Sequence, residues 1–151
     1  VGDSFAVLGL TKKVFENCGV KEVCQEENVR LINFDTSLIV KKKMDGEILK
    51  EIFLPQEVLE IDLLLSLPKH KTHNFMFFTG ALKNQLGIIP GALKPKIHQM
   101  APNIIDFSKA LVDINLAVKF NLAVMEGIIG LEGAILLIAV LEKSKFCSCK
   151  F

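Results

Sequence analysis

The chain has 151 residues, half of them hydrophobic, with 18 basic and 17 acidic side chains and a formal net charge of +1. That length suits one domain with a sizeable core, and the balanced charge argues against a general nucleic-acid binder, whose phosphate contacts need a basic face. The longest apolar stretch, residues 128–141, carries Glu132 and is shorter than the roughly 20 apolar residues of a bilayer-crossing helix; with no basic stretch before an apolar run near Val1, the expectation is a cytoplasmic chain without a membrane span.

Residues 11–18 read as a short helix capped by Thr11, with Val14 and Phe15 facing inward, Cys18 as buried filler and Gly19 as the stop. Residues 21–27 form a second polar turn or helix. The β-branched content of residues 29–34 favours a strand. Residues 37–42 and 48–54 flank Met44-Asp45-Gly46-Glu47, the strongest hairpin signal in the chain, and Lys41, Lys42 and Lys43 read as its solvated edge. Pro55 opens a helical turn over residues 56–59. Residues 61–67 form a nearly continuous apolar run that ends at Pro68, as expected of a parallel strand buried on both faces.

A helix starting at Thr79 or Gly80 ends at Gly87, and Pro90-Gly91 is a turn. Residues 102–119 give the clearest helix: Ile104, Phe107, Leu111, Ile114 and Val118 recur at spacings of three and four and make one buried stripe. Asp106, Lys109 and Asp113 fall on another face, where they can pair along the surface. Residues 121–125 read as the next strand, so the helix joins two buried strands in a right-handed parallel crossover. The predicted fold class is α/β: a mostly parallel sheet with flanking helices plus a β-hairpin, incomplete at both ends.

No Gly-rich dinucleotide fingerprint, P-loop, G-x-S-x-G or H-E-x-x-H occurs. Cys18 and Cys24 are too far apart, and Cys147 and Cys149 too close, for the C-x-x-C spacing of zinc ribbons or ferredoxin clusters. The informative segment is residues 68–84, just past the end of the predicted buried strand, where open α/β sheets place ligands. Lys69, Lys71 and His73 alternate, so an extended backbone points them the same way. Thr79 and Lys83 lie one turn apart at a predicted helix start, where free amides favour anions. The expected ligand-binding set is Lys69, Lys71, His73, Thr79, Lys83, Asn84 and His98, for a carboxylate or phosphate. His70, His73 and His98 have no carboxylate at telling spacing, so no metal site is expected. Glu126 follows an apolar strand and belongs at a sheet edge.

At these residues the chain resembles the domain of unknown function 362 family. The resemblance rests on Gly2-Asp3-Ser4, Leu67-Pro68-Lys69, Lys71-Thr72-His73, Thr79-Gly80-Ala81-Leu82-Lys83-Asn84, Gly87, Pro90-Gly91, His98, Val112-Asp113 and residues 127–133. Glu126 stands where the family usually has Asp. A strand with a Lys-Pro-Asn motif is missing before Val1, the Gly-x-Gly-Pro-like continuation after Gly133 is replaced by an apolar run, and no ferredoxin cysteine run follows. The resemblance therefore implies a truncated or frame-shifted member, with a genuine variant ending as the alternative: residues 1–133 a partial domain, residues 134–151 an atypical C-terminal tail expected to pack poorly or be disordered. Many members are described as iron–sulfur proteins, but the cluster is expected only in longer ones, so no cofactor is assigned to this chain.

Two functional readings follow. One is an enzyme domain holding a small anionic molecule in the Lys/His/Thr pocket, with Lys69 or Lys83 as a base if its pKa is lowered. The other is a non-catalytic scaffold or electron-transfer partner of an iron–sulfur protein; a non-functional fragment is the bland alternative. Neither nucleic acid nor membrane is an expected partner, and no reaction is specified.

Overall fold

A computed structural model describes residues 1–7, 9–132 and 140–142. In chain order its elements are β1 (Gly2–Asp3), α1 (Thr11–Asn17), α2 (Val20–Glu26), β2 (Ile32–Asn33), β3 (Ile39–Lys43), β4 (Glu51–Pro55) and α3 (Gln56–Glu60). They continue with β5 (Leu65–Ser66), β6 (Lys69–His73), β7 (Phe77–Thr79), α4 (Ala81–Asn84), α5 (Lys94–Met100), α6 (Ile104–Val118), β8 (Leu122–Ala123), β9 (Glu126–Glu132) and β10 (Val140–Glu142). The chain forms two compact units, one of Val1–Asp62 with Gln85–Lys119, the other of Leu63–Asn84 with Phe120–Phe151.

The first unit is organised by helix α6. Asn103 caps it, its side-chain oxygen accepting from the Asp106 amide at 2.9 Å, which satisfies one of the helix's orphan donors. Phe107, Ala110, Leu111, Ile114 and Ala117 are buried along one stripe. Complete burial of a side chain such as Phe107 or Ile114 contributes about 1.5–3 kcal/mol each. Strands β3 and β4 pair antiparallel from Ile39 opposite Pro55 to Lys43 opposite Glu51, and Ile52 and Leu54 point into the core. Strands β1 and β2 pair in parallel, Gly2 opposite Ile32.

Asp113 holds the β3–β4 loop. Its carboxylate accepts from the backbone amides of Glu47 (2.9 Å), Ile48 (2.8 Å) and Leu49 (2.8 Å), and the residue is only 3% exposed. Gly46 makes the approach feasible: a Cβ there would sit 2.5 Å from both the Asp113 Cγ and the Leu49 carbonyl oxygen. Lys42 ties the hairpin to the last turn of α6, one turn beyond Asp113, donating to the Ala117 carbonyl at 3.0 Å, where the helix leaves acceptors unfilled and favours a cation.

In the second unit, β6 lies between β7 and β9 in a four-stranded sheet ordered β10-β9-β6-β7. The β6–β9 pairing is parallel, while β6–β7 and β9–β10 are antiparallel. Strands β5 and β8 form a separate parallel pair, Leu65 opposite Leu122 and Ser66 opposite Ala123.

Several expectations hold: the α1, α3 and α6 helices, the lysine-edged hairpin, and parallel pairing of the strands flanking the 102–119 helix, although Ile104 of the expected stripe and Leu122, Val124 and Met125 of the expected buried strand are exposed. Others are corrected. The fold is mixed α/β, with small sheets containing both parallel and antiparallel pairings, in place of one mostly parallel sheet. The strand expected over residues 61–67 shrinks to β5 and is inverted: Leu63, Leu65 and Leu67 are exposed whereas Ser66 is buried. Asp113 does not pair with Lys109 on a surface; it is buried, and Lys109 bonds Glu47. Thr11 is buried within α1 and does not cap it, and Cys18 is exposed while Cys24 is the buried thiol. Of the tail, residues 140–142 form β10; its remaining residues, including Cys147 and Cys149, lie outside the described ones.

Candidate functional site

Strand β6 gives Lys69, Lys71 and His73 the extended backbone their alternation calls for, all three half-buried. The β6–β7 hairpin then sets Lys71 opposite Thr79, Thr72 opposite Phe78 and His73 opposite Phe77. Residues directly opposite in an antiparallel pair share a face, with Cβ atoms about 4.5–5.5 Å apart. Thr79 is 4% exposed, and its hydroxyl has no hydrogen-bond partner among the described residues. A buried hydroxyl left in that state costs about 1–3 kcal/mol, so it calls for an explanation.

Lys69 is engaged: its Nζ lies 2.6 Å from Glu126 Oε2, and Glu126 Oε1 accepts from the Ile128 amide at 2.8 Å. This pair sits where β6 and β9 change register, from Lys69 opposite Glu126 to Lys71 opposite Leu131. His73 shapes the hairpin turn, its Nδ1 accepting from the amides of Phe75 (3.1 Å) and Met76 (3.2 Å). Accepting there places the proton of the neutral ring on Nε2. Phe77 completes the turn with φ +58°.

The helix expected from Thr79 or Gly80 is real but brief. Thr79 ends β7, α4 spans Ala81–Asn84, and a 3-10 turn over Gln85–Ile88 follows. Four residues supply little of the macrodipole on which an anion site at the helix start would rely. Lys83 is a half-buried member of α4, and Asn84 donates from Nδ2 to Ser66 Oγ at 3.2 Å, tying α4 to β5. His98 belongs to the first unit, where its ring stacks on Phe107 at 4.3 Å between centroids. The second unit thus groups Lys69, Lys71, His73 and Thr79 on one hairpin, with Lys83 and Asn84 in the segment that follows.

The first unit contains a polar cluster that sequence reasoning missed. Thr11 Oγ1 donates to Asp35 Oδ2 at 2.6 Å and accepts from the Phe5 amide at 2.7 Å. Asp35 Oδ1 accepts from the Gly91 amide at 2.7 Å. Ser4 Oγ reaches the carbonyls of Gly87 and Ile89, and buried Lys94 donates to the Ser4 carbonyl. Burial holds the Lys94 pKa below the ordinary lysine value, opposed by attraction to Asp3 and Asp35. Asp3 and Asp35 lie at and just beyond the carboxyl ends of parallel strands β1 and β2, a placement shared with ligand sites in α/β proteins. Here, however, backbone and side-chain partners already engage the polar atoms, and the cluster acts as a clasp between the β1 end, α1 and the start of α5. The available signal was Gly2-Asp3-Ser4 itself, read in the sequence as resemblance and not as structure.

Among the described residues no group of three or more His, Cys, Asp or Glu side chains is arranged to hold a metal ion, and no helix is long and apolar enough to cross a membrane.

The sequence profile of a domain of unknown function (DUF362) matches residues 1–136, and the chain belongs to that family. It is similar to the thylakoid-associated protein sll1697 of Synechocystis sp. (strain ATCC 27184 / PCC 6803 / Kazusa), with 28% identity over 134 residues. That match covers 88% of this chain and 40% of the relative, so the chain spans about two fifths of the length of the curated protein it resembles. No solved structure matches it.

Proposed function

We propose that the β6–β7 hairpin binds a small anionic molecule, with Lys71 and Thr79 as primary contacts, Lys69 as a second cation and His73 fixing the turn. The observation that carries this reading is the buried, unpartnered Thr79 hydroxyl on the face it shares with Lys71. A ligand oxygen beside the ammonium would supply the missing hydrogen bond, and a charge-assisted bond of this kind contributes more than a neutral one. Glu126 acts as an internal competitor, because its carboxylate occupies the Lys69 ammonium. Lys83 is a further cation for a larger ligand, and His98 is left out because it belongs to the other unit.

Titration with inorganic pyrophosphate tests the reading. Lys71→Ala and Thr79→Val should each weaken binding by about tenfold, while Glu126→Gln should tighten it several-fold by releasing Lys69. Unchanged affinity in Lys71→Ala would remove the proposal.

A second reading, a scaffold or electron-transfer partner of an iron–sulfur protein, draws on the exposed Leu65, Leu67, Leu122 and Val124 of the β5–β8 region, since large exposed apolar patches mark interaction surfaces. Neither reading includes nucleic acid or a membrane as partner, and a cytoplasmic location goes with both. Fractionation checks the location: recovery of the chain with membranes would instead align it with its thylakoid-associated relative.

A further inference from the structure

The first unit has a cleft of about 860 Å³ between the α1–α2 pair and the segment entering β2. Two left-handed residues shape it. Gly19, with φ +76°, reverses the chain between the helices, and Asn28, with φ +51°, turns it out of α2. The Val29 amide then bonds back to the Cys24 carbonyl at 2.8 Å. Phe15, Val29 and Leu31 give the cleft an apolar lining, and Lys12, Lys21 and Arg30 give it three cations.

Among the described residues no carboxylate lines the cleft. Glu16 pairs with Lys21 at 2.8 Å and also attracts Lys12, and Glu57 stands 3.9 Å from an Arg30 side chain that is 77% exposed. Lys12 has no ion-pair partner among the described residues. The volume falls within the roughly 300–1,000 Å³ of small-molecule sites, which combine apolar walls with a few oriented polar groups. A bare phosphate would use only the cations, and a neutral hydrocarbon only the walls. We infer that the cleft binds a small organic anion with an apolar body, an aryl or alkyl carboxylate or sulfonate, its acid group between Lys12 and Arg30. This site belongs to the first unit and does not depend on the β6–β7 reading.

The test uses the full chain and 8-anilinonaphthalene-1-sulfonate, followed by fluorescence, with uncharged N-phenyl-1-naphthylamine as control. The sulfonate should bind with a stoichiometry of one. In the Lys12→Gln/Arg30→Gln double variant its Kd should rise about tenfold, as expected on losing charge-assisted contacts, while the neutral probe changes less than about twofold. A Leu67→Ser/Leu122→Ser variant, altering the exposed apolar residues of the second unit, should leave sulfonate binding unchanged. The proposal is overturned if the charge variant binds the sulfonate as tightly as the parent, if both probes weaken together, or if the second-unit variant abolishes binding.

Discussion

Asp113→Ala should lower the unfolding free energy by roughly 3 kcal/mol, because three backbone amides lose their acceptor together. The Leu49 amide is buried and those of Glu47 and Ile48 partly so, and each unsatisfied buried donor costs about 1–3 kcal/mol. Asp113→Asn separates hydrogen bonding from packing. One amide oxygen can still accept, but the new NH2 group faces donors, so the loss should be smaller than for alanine. Chemical denaturation measures both. An Asp113→Ala protein within about 0.5 kcal/mol of the parent, the ordinary scatter for surface substitutions, would show that the loop does not need its anchor.

The second large effect belongs to Lys94. Lys94→Met should destabilise by about 2 kcal/mol at neutral pH, since it strands the Ser4 carbonyl and removes the cation that Asp3 and Asp35 attract. The pH dependence has a definite sign. Burial lowers the folded-state pKa below the unfolded value of 10.5. Between the folded pKa and 10.5 the unfolded chain therefore holds more protons, so stability from this group rises with pH through that window. Below the folded pKa the full cost of burying the ammonium is present. The difference in stability between parent and Lys94→Met should accordingly widen in the parent's favour as pH climbs toward 10.5. Parallel curves for the two proteins would contradict the burial argument.

The features legible in the sequence are those written in local pattern. The apolar recurrence from Phe107 to Ile114 specifies α6, and Asp45-Gly46 between two extended runs specifies the hairpin. The errors arise where distant partners decide the outcome. Asp113 has helical spacing to Lys109, which looks like a surface pair, yet it also adjoins Ile114 within the buried stripe. An acid inside that stripe was the clue that it serves a buried backbone. Leu63, Leu65 and Leu67 read as core by composition, but alternation points them outward and sends Ser66 in.

For the candidate site, alternation of Lys69, Lys71 and His73 shows which residues an extended backbone would align, but residues 69–73 are expected from the sequence to lie beyond a strand, and the structure makes them strand β6 itself. The turn at Phe75 and Met76 that sets Lys71 opposite Thr79 was not readable, because His73 makes it with a side-chain acceptor and without a glycine or proline. The Lys94 cluster joins residues about 90 positions apart and has no short-range signature at all.

The Asp113 anchor also bears on how the protein is made. Leu49 emerges from the ribosome 64 residues ahead of the carboxylate that will receive its amide. At the usual 5–20 residues per second, that interval is roughly 3 to 13 s. Throughout it the hairpin can zip its own strands, but the amides of residues 47–49 have only water as partner. The chain meanwhile completes residues 63–84, which belong to the other unit, before it returns to the first. The β3–β4 loop is thus the late-closing joint of nascent-chain folding, and a ribosome stalled between residues 62 and 113 would present it open to proteases and chaperones.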